Sequence, residues 1–359
     1  MSKAAELAAL IGSQTALSNR NIIINGAMQV AQRATSTTGL GASAGYHTVD
    51  RIQMLVGSDA TAGRFTMSQS SVTDLAGFSN ATKLQCTTAD TSIAAGEACI
   101  FQTTFEGQNL QRLLNTSTSS KAFTVSFYAK ANESRAVVLE VRTSHGTNRQ
   151  IAKLFTITSS WQRFTFNVPA ATSGMQFGDD NTNDLQLNFW QHAGSTFTGG
   201  TLSTDWAAAN NANRAVGIGS LFASTSNFFE ITGIQLEVGE QATPFEHRSF
   251  ADELQKCKRY FQTYNEPPAR GVTSGGSTDR MAFMLPVTMR AAPSVTISGT
   301  LNWYDGAALG TITSFSATYT EPHSVEFDAN FATGSSSAGR GMVIYNADDT
   351  GTLNMDAEL

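Results

Sequence analysis

KAFTVSFYAKA, residues 121–131, decides the fold class. Phe123, Val125, Phe127 and Ala129 fall on one side of an extended chain, and Thr124, Ser126 and Tyr128 on the other. Side chains of a strand alternate across the sheet, so a period of two with one apolar side marks a strand with one buried face. WQRFTFNVPA (161–170) repeats the pattern through Phe164, Phe166 and Val168.

Working outward, strand-like runs follow one another from residue 21 to residue 239. They include RFTMSQSSV, ATKLQCTTA, ACIFQTTFE (98–106), RAVVLEVRT (135–143), KLFTITSS (153–160), LQLNFWQH (185–192) and FFEITGIQLEVG (228–239). So many short strands with polar turns between them predict a mainly β chain: a two-sheet antiparallel β-sandwich, a jelly roll, over residues 19–248. Two long polar stretches interrupt it, 171–184 and 193–214, and loops of that length are usually functional or contact-making.

SFADELQKCKRYFQ (249–262) reads as a helix. Ser249 is its N-cap and Asp252 gives a capping-box-like start, while Phe250, Leu254, Cys257 and Phe261 recur at helical spacing. With the breaker that follows, it makes a helix-and-linker segment, 249–268. Further strand runs predict a small C-terminal β-domain, 269–359. At the other end, residues 2–11 read as a short helix with a narrow apolar stripe of Leu7, Leu10 and Ile11. Ten residues are marginal as a helix alone in water, so segment 1–18 is expected to pack on something, its own domain or a partner.

Composition narrows the function. Only 14% of the 359 residues are charged and the net charge is −6. An acidic chain lacks the basic face that nucleic acid requires, and low charge suits a permanent assembly. No apolar run is long enough for a transmembrane helix, and the start does not read as a signal peptide. Three cysteines, Cys86, Cys99 and Cys257, form no disulfide framework.

Catalytic signals are missing. The five His are scattered, and no zinc-protease, nucleophile-elbow or phosphate-loop motif is present. Glu230 and Glu237 invite comparison with a glycosidase pair, but an odd spacing sets them on opposite faces of a regular strand. In DDNTND (179–184), Asp180 and Asp184 offer oxygen ligands to a structural Ca²⁺, although a solvated turn is the favoured reading. Trp190 and Trp206, with the amides of Asn188 and Gln191, are candidate glycan-binding residues, since aromatic rings stack on sugars and amides bond hydroxyls; burial in the core is the alternative. Trp161 is expected in the core. Tyr46, His47, Asp50 and Arg51 are expected as a buried polar cluster pinning the first strands.

NRNIIINGAMQVAQRATS (19–36) followed by YHTVDRIQM resembles the N-terminal block of virion structural proteins of tailed bacteriophages, abundant among phages of marine cyanobacteria. FTVSFYAKA, TSSWQRFTFNVPA and ITGIQLEVGEQATPFEHRSFADELQKCKRYFQ resemble later blocks of the same module, in the same order, up to about residue 264; LPVTMRAAPSVTISG (285–299) resembles a strand pair that often follows. Ile52 departs from the aromatic common after the Asp-Arg pair. The resemblance implies a carbohydrate-binding-module-like jelly roll in a tail fibre, tail appendage or capsid decoration. Such a protein is non-enzymatic, assembled in the host cytoplasm into the virion, often a homotrimer, held to other virion proteins by its N-terminus, and in some cases in contact with host surface glycan. A polysaccharide depolymerase is the less favoured alternative. The trimer expectation is helped by the apolar C-terminal residues Phe283, Leu285, Val287 and Trp303, which a small domain is not expected to bury by itself. Within this reading, IIINGAMQV is the first hairpin or corner of the sandwich, with Asn25-Gly26 at its turn.

Removing residues 1–18 should leave the thermal unfolding of the remaining chain unchanged and abolish its incorporation into particles; normal incorporation of the truncated chain would overturn the attachment role.

Overall fold

The computed structural model describes residues 19–57, 59, 62–347 and 349–359. Leu7, Leu10 and Ile11 lie outside the described residues. The chain divides into two compact units, one running to Glu253 and one over Leu254–Glu358. The division falls within the expected linker helix, so the second unit begins earlier than residue 269.

In chain order the first unit contains β1 (Ser36–Leu40), β2 (Gly45–Tyr46), β3 (Gln53–Val56), β4 (Arg64–Ser71), β5 (Asn80–Thr88), β6 (Ala98–Glu106), β7 (Leu114–Thr116), β8 (Ser119–Ser120), β9 (Phe123–Ala131), β10 (Arg135–Thr143), β11 (Arg149–Ile157), β12 (Gln162–Val168), β13 (Asn183–Ala193), β14 (Ala207–Ala208) and β15 (Phe228–Val238). They form a six-stranded sheet, β1-β4-β5-β15-β9-β12, and a seven-stranded sheet, β14-β11-β10-β13-β6-β3-β2; β7 and β8 pair separately. All pairings are antiparallel, and the chain passes repeatedly between the sheets, for example at β3–β4, β5–β6, β9–β10, β11–β12, β12–β13 and β14–β15, as a jelly-roll sandwich does. The alternation read in β9 holds: Phe123, Val125, Phe127 and Ala129 all enter the main core. There Phe127 meets Phe189 edge-on at 5.0 Å and Phe155 at 5.4 Å and stacks on Phe164 at 5.4 Å, geometries that aromatic rings favour.

β15 carries the main irregularity. Its register against β9 shifts between Thr232 and Gln235, and Gly233 takes a φ of +62°. Phe229 and Ile231 face the core before this bulge, and Ile234 and Leu236 after it. A bulge inserts one residue and so resets the alternation. The pairing with β5 ends at Ile231, which leaves the next backbone groups of that edge without a strand partner. The N-terminal block supplies one. Ile234 N–H donates to Gly26 O (2.9 Å), Ile22 N–H to Leu236 O (2.9 Å), and the Asn21 amide takes Leu236 N–H and donates to Ile234 O. IIINGAMQV is thus a corner and not a strand hairpin. Ile22 and Ile23 are buried and Ile24 half-buried. Asn25, at φ +60°, bonds Val30 on both its N–H and C=O and also reaches Asp50 O.

Residues 246–253 fasten this corner. Glu246 accepts from Asn21 N–H (2.7 Å), Glu253 from Asn25 N–H (2.6 Å), and Arg248 bonds Ile23 O and Glu253. Ser249 caps the start of the helix Phe250–Lys258 as expected: its Oγ accepts from Asp252 N–H (3.1 Å) and donates to Asp252 Oδ2 (2.7 Å), so the carboxylate meets the hydroxyl and not the Ser249 N–H that a capping box uses. The helix is shorter than its sequence pattern. Phe250 is exposed, and Phe261 belongs to a strand because its backbone pairs with Asp356.

The second unit consists of β16 (Phe261–Tyr264), β17 (Arg270–Val272), β18 (Thr278–Met284), β19 (Ser294–Ser298), β20 (Leu301–Tyr304), β21 (Leu309–Glu321), β22 (Ser324–Phe331), β23 (Gly341–Tyr345) and β24 (Thr352–Asp356). β17-β18-β22-β21-β20-β23 close a barrel, and β16-β24-β19 form a three-stranded sheet. Closure turns alternate residues inward. Phe283, Leu285 and Trp303 are therefore buried within a single chain, Trp303 stacking on Phe331 at 4.3 Å, while Val287 is half-buried. This corrects the expectation that these side chains need partner copies for burial. The three cysteines are free and buried, and burial pushes the Cys99 thiol up to about 12.

A Cβ on Gly26 would lie 2.2 Å from the Ile234 carbonyl oxygen, which is backbone and cannot swing aside. Gly26→Ala should lower the stability of the first unit by about 1–3 kcal/mol in denaturant unfolding; an unchanged midpoint would show that the corner is not held against the bulge.

Candidate functional site

The outer face of the seven-stranded sheet is where the chain concentrates interacting polar side chains. In the central strands, residues of one phase fill the core: Phe101 and Phe105 of β6, Leu187 and Phe189 of β13, Leu139 and Val141 of β10. The opposite phase faces outward, and its upper part is apolar. Leu55, Ile100, Trp190 and Val138 lie there, covered by Phe197, Leu202, Ala215 and Ile218 from the long loop after β13. Below this cover the same phase turns polar, and strand register aligns it into two rows. One runs Gln53–Gln102–Asn188–Glu140, and the next Thr104–Gln186–Arg142–Gln150.

From Gln102 to Glu140 the first row is a connected network. Gln102 Nε2 donates to Asn188 Oδ1 (2.6 Å), and Asn188 Nδ2 to Glu140 Oε2 (3.0 Å). Glu140 is completely buried and also accepts from Trp190 Nε1 (3.0 Å) and from both Nε and Nη2 of Arg214 (2.8 and 3.0 Å). Arg214 comes from the covering loop and lies over the Trp190 ring, 4.8 Å from its centroid. Gln150 holds the same loop through Ser203 and Asn210. The network therefore positions the loop and the row together.

The second row is less committed. Among the described residues the half-buried Arg142 guanidinium has no hydrogen-bond or ion-pair partner, and neither does the Gln53 amide. Gln186 is met only by a long contact, 3.5 Å, from Gln102, and Thr104 Oγ1 is buried with no partner. Burial, with Arg214 close by, holds the Arg142 guanidinium below its ordinary range, while Glu140 acts the other way. These groups offer donors and acceptors in fixed places, about 4.8 Å apart from strand to strand within a row and about 6.6 Å from one row to the next.

Several expected site residues have other positions. Trp190, Asn188 and Gln191 are fully buried, so none presents a free surface to a sugar. Trp190 is closed in by the loop, Asn188 belongs to the network, and Gln191 accepts from Arg135 Nη2 (3.1 Å). Trp206 is half-buried against the core, with its Nε1 donating to Pro169 O (2.9 Å), and serves to anchor the loop. Trp161 is not in the main core. It is half-buried on the six-stranded sheet's outer side, bonded to Asp74 and lying beneath Lys130. Asp180 accepts from the N–H and Oγ1 of Thr182, and Asp184 from Gly178 N–H, so both carboxylates close their own turn. Among the described residues no group of three His, Cys, Asp or Glu could hold a metal. Of the expected buried cluster, Asp50 and Arg51 are buried, Asp50 taking the backbone N–H of Gln32 and Arg51 bonding Thr104 O, whereas Tyr46 and His47 are only half-buried.

Glu230 and Glu237 share one face after all, because the Gly233 bulge resets the phase. Glu230 meets Lys83 and Lys130, and Glu237 takes Thr243. Roughly 20 Å of strand separates them at about 3.3 Å per residue, too far for a glycosidase pair. What the sequence reading passed over was Gln102, Thr104, Glu140, Arg142 and Gln186. Their signal was present: polar residues at alternate positions inside otherwise apolar central strands, as in VVLEVR.

No protein-family model and no curated protein matches the sequence. Among solved structures, the chain is similar to the enzymatically active domain of tailspike protein 4 of bacteriophage CBA120, at 12% identity and a TM-score of 0.30 over 61% of this chain. It spans only 22% of that domain's length. It is also similar to a CBM4 (15% identity, TM-score 0.27, 60% of this chain and 98% of that one) and to a family 30 carbohydrate-binding module (12%, 0.30, 64% and 94%). Likenesses at these scores leave ligand and activity to be argued from the chain's own residues.

Arg214→Met removes one partner of a buried ion pair and should cost about 3–5 kcal/mol in urea unfolding, with faster proteolysis between residues 199 and 214. Stability and cleavage like those of the parent chain would mean that the pair does not hold the loop.

Proposed function

We propose that the first unit binds glycan, without turning it over, on the outer face of its seven-stranded sheet. One observation carries this reading. A buried amide–carboxylate network lies beside Arg142, Gln53 and Thr104 Oγ1, which have no hydrogen-bond partner among the described residues, and beside Gln186, met only by a 3.5 Å contact. A site built to bond hydroxyls needs such prepositioned donors and acceptors, and few of them suffice to fix orientation. Glu140, the carboxylate within the rows, has its oxygens taken by Arg214, Asn188 and Trp190, which argues for holding and against hydrolysis. The block resemblance in residues 19–264 supports placing the protein in a bacteriophage particle, as part of a tail fibre, tail appendage or capsid decoration. In that setting segment 1–18 attaches it to other virion proteins, the chain assembles as a homotrimer, and the glycan is one displayed by the host surface.

The double substitution Gln53→Ala/Gln186→Ala should weaken binding of a glycan selected by array screening by about five- to tenfold, measured by titration calorimetry with unfolding unchanged. Affinity equal to the parent's, or no glycan bound by the parent, would overturn the site.

A further inference from the structure

We infer that the glycan taken by this face is acidic, and that Arg142 is the residue that recognises its carboxylate. The inference rests on the binding reading above and adds the chemical class of the ligand.

Charge on the two rows is unbalanced. They and the loop over them bring two guanidiniums, Arg142 and Arg214, to one carboxylate, Glu140. Arg214 spends its charge on Glu140 through paired bonds of 2.8 and 3.0 Å. That leaves one positive charge on Arg142, in a chain whose net charge is −6. A chance surplus on so acidic a protein would ordinarily be compensated by a neighbouring Asp or Glu, and among the described residues none is within ion-pair distance of Arg142.

Placement makes that surplus specific. Register sets Arg142 between Gln186 and Gln150, on an inner strand of the sheet, the third of seven, close to the end of β10. A cation that is half removed from water and has no partner is costly to keep, and an arriving anion recovers the loss. A guanidinium presents a planar fork of N–H donors that matches the two oxygens of a carboxylate, a match that a Lys ammonium lacks. Gln186, Gln53 and the unpartnered Thr104 Oγ1 nearby are neutral, and Glu140, the next outward residue on β10, is already paired with Arg214. One charged fork among neutral hydrogen-bonding groups suits a uronate-bearing sugar, whose ring carries one carboxylate and several hydroxyls. A densely anionic polymer such as a nucleic acid would call for a basic surface with many cations.

The test titrates the full chain with oligosaccharides of alginate and polygalacturonate, with the same oligosaccharides after reduction of their carboxyl groups to alcohols, and with a sulfated oligosaccharide. Uronate oligosaccharides should bind about tenfold more tightly than their reduced forms, with affinity falling as salt rises. Arg142→Gln, with unfolding unchanged, should weaken uronate binding by about tenfold and abolish the preference for uronate over the reduced sugar. Equal affinity for both forms, weakened in both by Gln53→Ala/Gln186→Ala, would overturn the acidic class and leave the site standing. Preference for the sulfated ligand would overturn the carboxylate assignment. Binding of an acidic glycan that Arg142→Gln does not alter would overturn Arg142's role, and binding of no glycan at all would remove the site and the inference together.

Discussion

The bulge in β15 at Gly233 is the constraint on which the rest of the first unit depends. By inserting one residue it swaps the faces of the strand, so that Ile231 and Ile234 both point inward. It coincides with the end of the β5 pairing, and the backbone groups so released are taken up by Asn21, Ile22 and Gly26. A Cβ on Gly26 would strike the Ile234 carbonyl, and one on Gly233 would strike the rings of Phe78 and Tyr128. Two glycines far apart in sequence are thus required at this bulge, Gly26 by the Ile234 carbonyl and Gly233 by its positive φ and the two rings. It also explains why the blocks at 19–33 and 243–253 go together. Asn21 and Glu246, 225 positions apart, are hydrogen-bonded neighbours, and neither segment would have its polar groups satisfied without the other.

The candidate site is an outcome of uneven cover. A sandwich buries the inner face of each sheet and leaves the outer face to water, so outward residues are ordinarily polar and separately solvated. Here the loop after β13 covers the apolar part of the outer face and anchors itself through Arg214 on Glu140. Having drawn in Glu140, Asn188 and Gln102, the sheet leaves Arg142 and Gln53 beside them without partners among the described residues, and Gln186 with only a 3.5 Å contact. A buried network that is fully bonded is rigid, and rigidity next to unmatched donors is what preorganised recognition requires.

Much of this was legible in the residues. The two-residue alternation of KAFTVSFYAKA and WQRFTFNV, the N-cap at Ser249, and the turn at DDNTND appear as read, because each is set by contacts within a few residues. The reading failed where a distant segment decides. Trp190 looked like a sugar platform because nothing near it in sequence reveals the loop that lies on it. Glu230 and Glu237 looked opposed because a bulge is invisible to an alternation count. Phe283 and Trp303 looked too apolar for a small domain because closure of a barrel is not written in any one strand.

By itself the sequence determined that the chain is a sandwich of antiparallel strands followed by further β structure, and which side chains of each strand share a face. A period of two is a property of extended backbone and needs no partner to be expressed. Only the tertiary structure decided which of those faces is covered, and that polar residues from β3, β6, β10, β11 and β13 stand in rows. Row and cover depend on pairing register and on a loop arriving from elsewhere, and both are settled by long-range packing that no local pattern encodes.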